Sequence, residues 1–359
     1  MRVVVGMSGG VDSSVAALLM KRAGHEVNGV FMKNWEEKDE SGVCTDERDW
    51  ADARAVCEAL EIPYYSVNFA RQYWDRVFQH FLAEYRKGRT PNPDVLCNRE
   101  IKFDVFLNFA EQLGAEKLVT GHFARLDRVG DEYRLLRAED ENKDQTYFLY
   151  MLNQRALSKA LFPVGGMLKS QVRQLAREAG LPVSEKKDST GVCFIGERNF
   201  KHFLSGYLPA QSGDIVTTDG QKVGRHDGLM YYTLGQRRGL GIGGGGNGQR
   251  WFVVAKDLEH NRLIVHQGED TPLLYTHRAM GSEATWLAGH PPVAEGEPLR
   301  CQVRLRHRQR LQDCELVLRQ GRAHLTFPQA QRAVTPGQSA VFYQDQVCLG
   351  GVIVDAAED

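Results

Sequence analysis

No stretch of this chain approaches the roughly 20 consecutive apolar residues that a membrane-spanning helix requires. No secretory leader pattern opens it either, since Met1-Arg2 runs straight into Val3-Val4-Val5. Cysteine is sparse and unclustered: seven thiols, an odd number, stand at 44, 57, 97, 193, 301, 314 and 348. No C-x-x-C pair and no Cys/His spacing of the zinc-finger kind occurs, which excludes a structural metal. A disulfide framework is excluded by the same count and by the length of the chain, so the expected setting is a reducing cytoplasm with mostly buried thiols and no membrane partner. Charge of one sign is also missing: 45 Lys and Arg face 46 Asp and Glu, a net charge of −1. That balance argues against a general nucleic-acid coat protein, but not against a local basic surface.

What is present is an α/β alternation over the first half. Val3-Val4-Val5, EVNGVFM and YYSVNF read as strands, separated by helical periodicity over residues 11–23 and ERDWADARAVCEALEI. VFQHFLAEYRKG and IKFDVFLNFAEQLG read as helices, KLVTGH as a strand and LKSQVRQLAREAG as a helix closing near Gly180. Strands alternating with helices imply a parallel sheet covered on both faces. Near residue 205 the texture changes to short strand-like runs and frequent glycine, and from about 297 to short strands with turns, the pattern of a small β-barrel. The expected division is residues 1–205, 206–280 and 281–359.

The segment VGMSGGVDSS, residues 5–14, lies between the first strand and the first helix. Gly9 and Gly10 let backbone N–H groups approach an anion, and a helix start adds unpaired donors and the positive end of its dipole. The loop lacks the lysine of a Walker motif and the spacing of G-x-G-x-x-G, and the second strand ends in Met32 rather than the acid a dinucleotide ribose meets. Asp12, a carboxylate beside phosphate, calls for Mg²⁺ between the two.

Two cysteines stand apart from the rest. Cys97, in GRTPNPDVLCNREIKF, follows a Pro/Asn-rich turn just ahead of a helix, with Arg99 and Lys102 close by. Cys193, in KKDSTGVCFIG, follows Lys186 and Lys187 in a loop. Cations and a helix start favour the reactive thiolate. The other five read as small buried apolar groups. From Arg300 to Gln338 there are eight arginines against two acids, and Arg304, Arg306, Arg308 and Arg310 alternate with apolar residues. At the period of a strand they would line one face and suit an RNA backbone.

SGGVDSS resembles the pyrophosphate loop of ATP pyrophosphatases, enzymes that break the α–β bond of ATP and adenylate a substrate oxygen. Together with TPNPDVLCNREIKF, TGHFAR, KDQTYFLY, LFPVGG, DSTGVCFIGERNF and YTLGQRRGLGIGG, it makes the chain similar over almost its whole length to the bacterial tRNA-specific 2-thiouridylases (the MnmA/TrmU family). The resemblance implies a PP-loop, Rossmann-like catalytic domain, a small central domain and a C-terminal β-barrel. It further implies ATP held by Gly6, Met7, Ser8, Gly9, Gly10, Val11, Asp12, Ser13, Met32 and Gly121, with Mg²⁺. The reaction implied is adenylation of the 2-carbonyl oxygen of the wobble uridine and its replacement by sulfur. Cys193 would carry a persulfide received from a sulfur-relay protein, Cys97 would resolve it through a transient disulfide, and Asp94 would act as acid/base. Contacts to tRNA, those for Glu, Gln and Lys, would come from Asn92, Pro93, Asp94, His122, Lys143, Asp144, Gln145, Arg306, His307 and Gln338. DNA is not an expected partner. Family members often have an aromatic side chain where this chain has His307. The loop TLGQRRGLGIGGGGNG would order on tRNA and keep water from the adenylate.

Rival readings are weaker. An amide synthase adenylating a small carboxylate needs neither the cysteine pair nor the arginines and lacks an ammonia source here. A silent tRNA-binding protein would not need the intact Ser8–Ser13 loop. A cytidine-thiolating enzyme with an iron–sulfur cluster would need clustered cysteines.

Overall fold

The structure is a computed structural model that describes residues 1–36, 45–188, 200–243, 248–269 and 271–358. Its first body is built on Arg2–Met7 (β1), Glu26–Lys33 (β2), Tyr64–Asn68 (β3) and Lys117–Val119 (β4). Arg125–Val129 (β5), Glu132–Leu136 (β6) and the short Ala160–Leu161 (β7) follow. Five of these form a wholly parallel sheet in the order β3-β2-β1-β4-β7. Val3, Val4 and Val5 are all at most 1% exposed. Val4 joins one apolar cluster with Val30, Phe106 and Leu118, whereas Val3 and Val5 join another with Val27, Phe31 and Val119. Side chains that alternate across a strand therefore feed two cores, one on each face, which is why β1 reads as an unbroken apolar run.

Helix Val11–Arg22 follows β1 and helix Thr45–Ala59 follows β2. The next two helices each contain a wider π-helical stretch. One spans 70–86, with the wide stretch at Trp74–Phe78. The other spans 93–112, with the wide stretch at Cys97–Val105. Gly88 and Gly114, both with positive φ, follow their ends. The second helix starts earlier than its sequence suggests. Asn92 caps it, its side-chain oxygen accepting from the Asp94 N–H at 3.1 Å, and Pro93 fills the first position. Cys97 thus sits inside the helix, not in a loop ahead of it.

The central body is a four-stranded sheet of Gly213–Thr217 (β8), Lys222–His226 (β9), Trp251–Asp257 (β10) and Arg262–Gln267 (β11), ordered β10-β11-β8-β9. The last body comprises Tyr275–Trp286 (β12), Pro298–Arg304 (β13), Gln312–Arg319 (β14), Arg322–Arg332 (β15), Ser339–Gln344 (β16) and Val347–Glu358 (β17). Pairing runs β12-β15-β14-β13-β16-β17 and closes through β12–β17, a six-stranded barrel with no free edge around its ring. Hairpin β5–β6, unforeseen in the sequence, adds to β17 through Val347↔Leu136. The first body therefore lends two strands to the last.

The expected arginine stripe does not form. β13 ends at Arg304, Arg308 adopts a left-handed φ of 67°, and the next strand begins only at Gln312. The physical reason is the destination of the side chains. Arg304 turns inward to pair with Asp144, while Arg306 donates to the carbonyls of Leu234 and Ala333 at 3.2 and 2.9 Å. Cys57, Cys301, Cys314 and Cys348 are buried in apolar clusters, as expected of small core residues, and burial pushes the Cys57 thiol up to about 11. Cys44 lies outside the described residues.

Asp144 and Arg304 tie the first body to the barrel. Their side chains are 0% and 5% exposed, and Asp144 also accepts from Ala138 N–H and from the Thr146 hydroxyl. Substituting Arg304→Met leaves an enclosed carboxylate without its cation, and is expected to cost about 3–5 kcal/mol in chemical denaturation.

A second junction gathers at Gly88–Thr90. Lys256 of β10 donates to the Gly88 carbonyl at 3.0 Å, Thr90 N–H donates to Pro336 O at 2.9 Å, and Arg89 pairs with Asp355 at 3.1 Å. Burial lowers the Lys256 ammonium to about 8. An unfolded lysine titrates near 10.4, so between these values the unfolded chain binds more protons than the folded one. Stability is therefore expected to rise with pH across that window, and the rise should vanish in thermal melts of Lys256→Met.

Candidate active site

In the order β3-β2-β1-β4, chain direction reverses its progress between β1 and β4, and the crevice beyond their C-terminal ends is where open parallel sheets take ligands. Two segments line it: residues 8–10 after β1, and Gly121-His122 after β4. Gly9 needs its left-handed φ of 70°, and a Cβ there would lie 2.4 Å from the Asp49 carbonyl oxygen. A Cβ on Gly121 would lie 2.5 Å from the Ser13 nitrogen, and one on Gly6 would meet the Phe106 ring at 3.1 Å. Gly121 is thus dictated by close approach to the helix start, and Gly6 by the Phe106 ring of helix 93–112.

Gly10 occupies the cap of helix Val11–Arg22 and brings no side-chain acceptor to it. Ser8, Ser13 and Ser14 are arranged around the loop instead. The Ser8 N–H donates to the Ser13 hydroxyl at 3.2 Å, and the Ser13 and Ser14 hydroxyls donate to Gly10 O at 3.2 and 2.7 Å. An uncapped helix start with a glycine cradle fits a phosphate chain. Met7 and Val11 are buried beneath the loop, and Met32, half-buried, marks the end of β2.

Sequence reading finds no lysine in this loop, yet the fold brings lysines to it. Lys169, 157 residues from Asp12 along the chain, lies 2.5 Å from its carboxylate and 2.9 Å from that of Asp188. Asp188 also receives Lys143 and Arg173, each at 2.6 Å. Lys186 donates to Gly9 O at 3.0 Å and pairs with Asp49 and Asp52 at 2.8 and 2.5 Å. Burial raises the Asp12 carboxyl despite Lys169. At Asp188 burial acts the same way, but hydrogen bonds from Lys143 and Lys169 outweigh it and hold the carboxyl well below the usual range. One signal of Lys169 was in the sequence: it opens a ten-residue helix, Lys169–Glu178, where a cation is locally unfavourable.

The expected reactive residues divide. Helix 93–112 crosses the crevice wall, with Phe106 against Gly6 and Phe103 6.0 Å from the His122 ring. Cys97, earlier on the same helix, is 0% exposed among Val95, Leu96 and Ile101, and Arg99 beside it pairs with Glu100 at 2.7 Å. Asp94 is half-buried, and its Oδ1 is enclosed with no hydrogen-bond partner among the described residues. Such an orphaned carboxylate oxygen is costly in a structural role. Cys193 lies outside the described residues, as does part of the glycine-rich loop, 244–247.

Of the expected RNA contacts, Gln338 adjoins the Asn92–Asp94 turn, its Nε2 donating to Thr90 O at 2.6 Å. Asp144 points its carboxylate inward, so that side chain is spent on Arg304; Lys143 is engaged by Asp188. Gln145 accepts from the Phe123 N–H at 2.8 Å. His122 is buried, bonded to the Thr120 hydroxyl at 2.7 Å, and held neutral by burial and by Lys102. His307 donates from Nε2 to the Asp144 carbonyl at 3.3 Å, and its ring packs against that of Phe148 with centroids 4.4 Å apart and planes tilted by 51°, so it serves as an aromatic, with burial lowering its basicity.

A parallel sheet with a Ser-Gly-Gly-x-Asp-Ser loop at its switch point, joined to a central sheet and a barrel, defines a nucleotide-binding domain of the ATP pyrophosphatase class carrying two accessory bodies. Family models match accordingly: a tRNA methyl transferase HUP domain over residues 1–197, a tRNA methyl transferase PRC-barrel domain over 201–267 and an aminomethyltransferase β-barrel domain over 276–354. The tRNA-specific 2-thiouridylase MnmA of Alkaliphilus oremlandii is 57% identical over 355 residues, 99% of this chain and 97% of its own. That of Bacillus subtilis is 56% identical over 357 residues, covering 99% and 95%, and that of Methylococcus capsulatus 56% over 356, covering 98% and 96%. The chain belongs to the tRNA-specific 2-thiouridylase family.

Because Gly121 abuts the helix start, Gly121→Ala is expected to displace Ser13 and weaken nucleotide binding by about 1–3 kcal/mol, read by calorimetry, at a smaller cost in melting temperature.

Proposed function

We propose that this chain is a cytoplasmic tRNA-uridine 2-sulfurtransferase that uses ATP to exchange the 2-oxygen of the wobble uridine for sulfur. The observation that carries the reading is the uncapped helix start at the β1/β4 switch point, in a chain 57% identical over its length to a named 2-thiouridylase. Gly9, Gly10 and the first-turn N–H groups would cradle the triphosphate, with Gly6, Met32 and Gly121 shaping the adenosine side. Asp12 would hold Mg²⁺, which shields its charge from the phosphates and withdraws electrons from them.

The uridine 2-oxygen attacks the α-phosphorus and pyrophosphate leaves. A carbonyl oxygen is a poor leaving group until it carries this adenylate. Asp94, with an unpaired oxygen, manages the proton at the base. The outer sulfur of a Cys193 persulfide then adds to C2, and AMP departs with the former oxygen. Attack of the Cys97 thiolate on the Cys193 sulfur frees 2-thiouridine and leaves a Cys97–Cys193 disulfide, which a thiol reductant returns to two thiols. The buried position of Cys97 suits late entry, because its thiol is kept from oxidants until helix and RNA meet. A persulfide donor protein loads Cys193. tRNAs for Glu, Gln and Lys are the proposed substrates, with Asn92–Asp94, Gln338 and the His307–Phe148 ring pair turned to the anticodon.

The family model's description speaks of methyl transfer, but no step of that chemistry calls for an ATP-cleaving loop. The purified chain, unmodified glutamate tRNA, ATP-Mg²⁺ and a persulfide donor should yield 2-thiouridine in nucleoside mass spectra, with no yield from Cys193→Ser. Asp94→Asn is expected to slow turnover roughly 100-fold or more. Methylated uridine, or no modified base while ATP is cleaved, would refute the substrate assignment.

A further inference from the structure

We propose that Lys169 is the phosphate-side cation of the nucleotide site: it leaves Asp12 and Asp188 when a metal–triphosphate enters, and neutralises the pyrophosphate as it departs. The inference rests on the ATP reading above and adds to it a residue that no loop motif contains. Three observations carry it. First, the Lys169 ammonium stands 2.5 Å from Asp12, at the mouth of the glycine cradle, with its side chain only 10% exposed. Once Asp12 turns to a metal, that ammonium loses its nearest anion and needs another within reach. Second, Asp188 does not need Lys169, because Lys143 and Arg173 each bind it at 2.6 Å. Lys186, the other lysine at the loop, is committed differently, to Asp49, Asp52 and the Gly9 carbonyl. Among the described residues, Lys169 is the lysine paired with Asp12, and of its two carboxylate partners one is displaced by a metal and the other is shared. Third, Lys169 opens helix Lys169–Glu178, whose own N-terminal N–H groups and dipole repel a cation. An incoming phosphate relieves both at once. The Phe123 ring, 5.7 Å from the ammonium, walls it from water on one side and strengthens its interaction with a developing anion.

The bond broken in the reaction joins the α-phosphorus to the bridging oxygen, and the electron pair goes to pyrophosphate. The cation should therefore favour ligands that carry the β- and γ-phosphates over AMP. Adenosine diphosphopyridoxal tests this on the unaltered protein: its terminal aldehyde condenses with a lysine amine, losing water, and borohydride fixes the imine. Peptide mapping is expected to find the label on Lys169, with ATP-Mg²⁺ protecting and AMP not. Label on Lys143 or Lys186 with Lys169 unmodified would overturn the proposal. In calorimetry, Lys169→Met should weaken ATP-Mg²⁺ and pyrophosphate-Mg²⁺ roughly tenfold or more and leave AMP unchanged. Lys169→Arg should recover most of the loss, and Lys21→Met should match wild type. Equal weakening of AMP and ATP would mean a structural role only and refute the inference. A wild-type chain that binds neither ATP nor pyrophosphate would instead bring down the nucleotide reading itself.

Discussion

The most deeply buried tie between the catalytic body and the barrel is one ion pair, and the segment that faces the nucleotide loop depends on it. Arg304 ends β13, inside the protein, and reaches across to Asp144, whose carboxylate is otherwise satisfied by a backbone N–H and the Thr146 hydroxyl. Thr146 passes the network to the Tyr343 hydroxyl at 3.1 Å, and the guanidinium lies 5.3 Å from the Tyr343 ring. A buried pair of this kind adds little net stability compared with apolar residues of the same shape, but it cannot be satisfied in any other arrangement. Its consequence is geometric. The 143–148 segment is fixed with Lys143 toward Asp188 and the nucleotide loop, and with Phe148 toward His307 on the barrel.

Charge bookkeeping at the loop follows the same logic. A Walker motif carries its lysine within the turn, where it stays beside the phosphates. Here the cations arrive from Lys143, from helix Lys169–Glu178 and from Lys186 after it, and each is matched to a carboxylate: Asp12, Asp49, Asp52 or Asp188. A site so neutralised tolerates being empty. It also makes nucleotide entry an exchange of partners rather than a simple capture. Lys186 and Asp188 precede residue 189 directly, so the proposed persulfide carrier at Cys193 is only a few residues from groups that hold the nucleotide loop.

How much of this was legible in the sequence depends on the range of the forces involved. The parallel sheet was, because Val3–Val5 and EVNGVFM are apolar on both faces and punctuated by glycines. The glycine cradle was, because turn, strand and helix are local signals. Lys169 was not, because nothing but the packing of its helix over Asp12 connects residues so far apart; its only local trace is a cation at a helix start. The arginine run misled for the opposite reason. Alternation in a sequence implies one strand face only if the strand continues, and Arg304 ends β13 by being drawn inward. Hairpin β5–β6 escaped because its strands are short and half-exposed, and their partner, β17, lies near the far end of the chain.

The placement of Asp94 and Cys97 on one helix, behind one turn, is best understood through what holds that turn. Thr90 is bonded at both its N–H and its carbonyl to Pro336 and Gln338 of the barrel, and Gly337 approaches so closely that a Cβ would lie 2.8 Å from the Thr90 nitrogen. Two residues earlier, Lys256 anchors Gly88 from the central sheet. The turn that leads to Asn92–Asp94 is therefore clamped by all three bodies of the chain. On the proposed chemistry, RNA bound to the barrel or the central sheet would bear on this clamp, and through it on the helix whose wide-pitched stretch begins at Cys97. π-Helical segments are frequent at functional sites, since their extra residue is held at a cost the fold must recover elsewhere. On the proposed chemistry that recovery is a matter of timing: the thiol stays buried until contact with the RNA on two bodies moves the third.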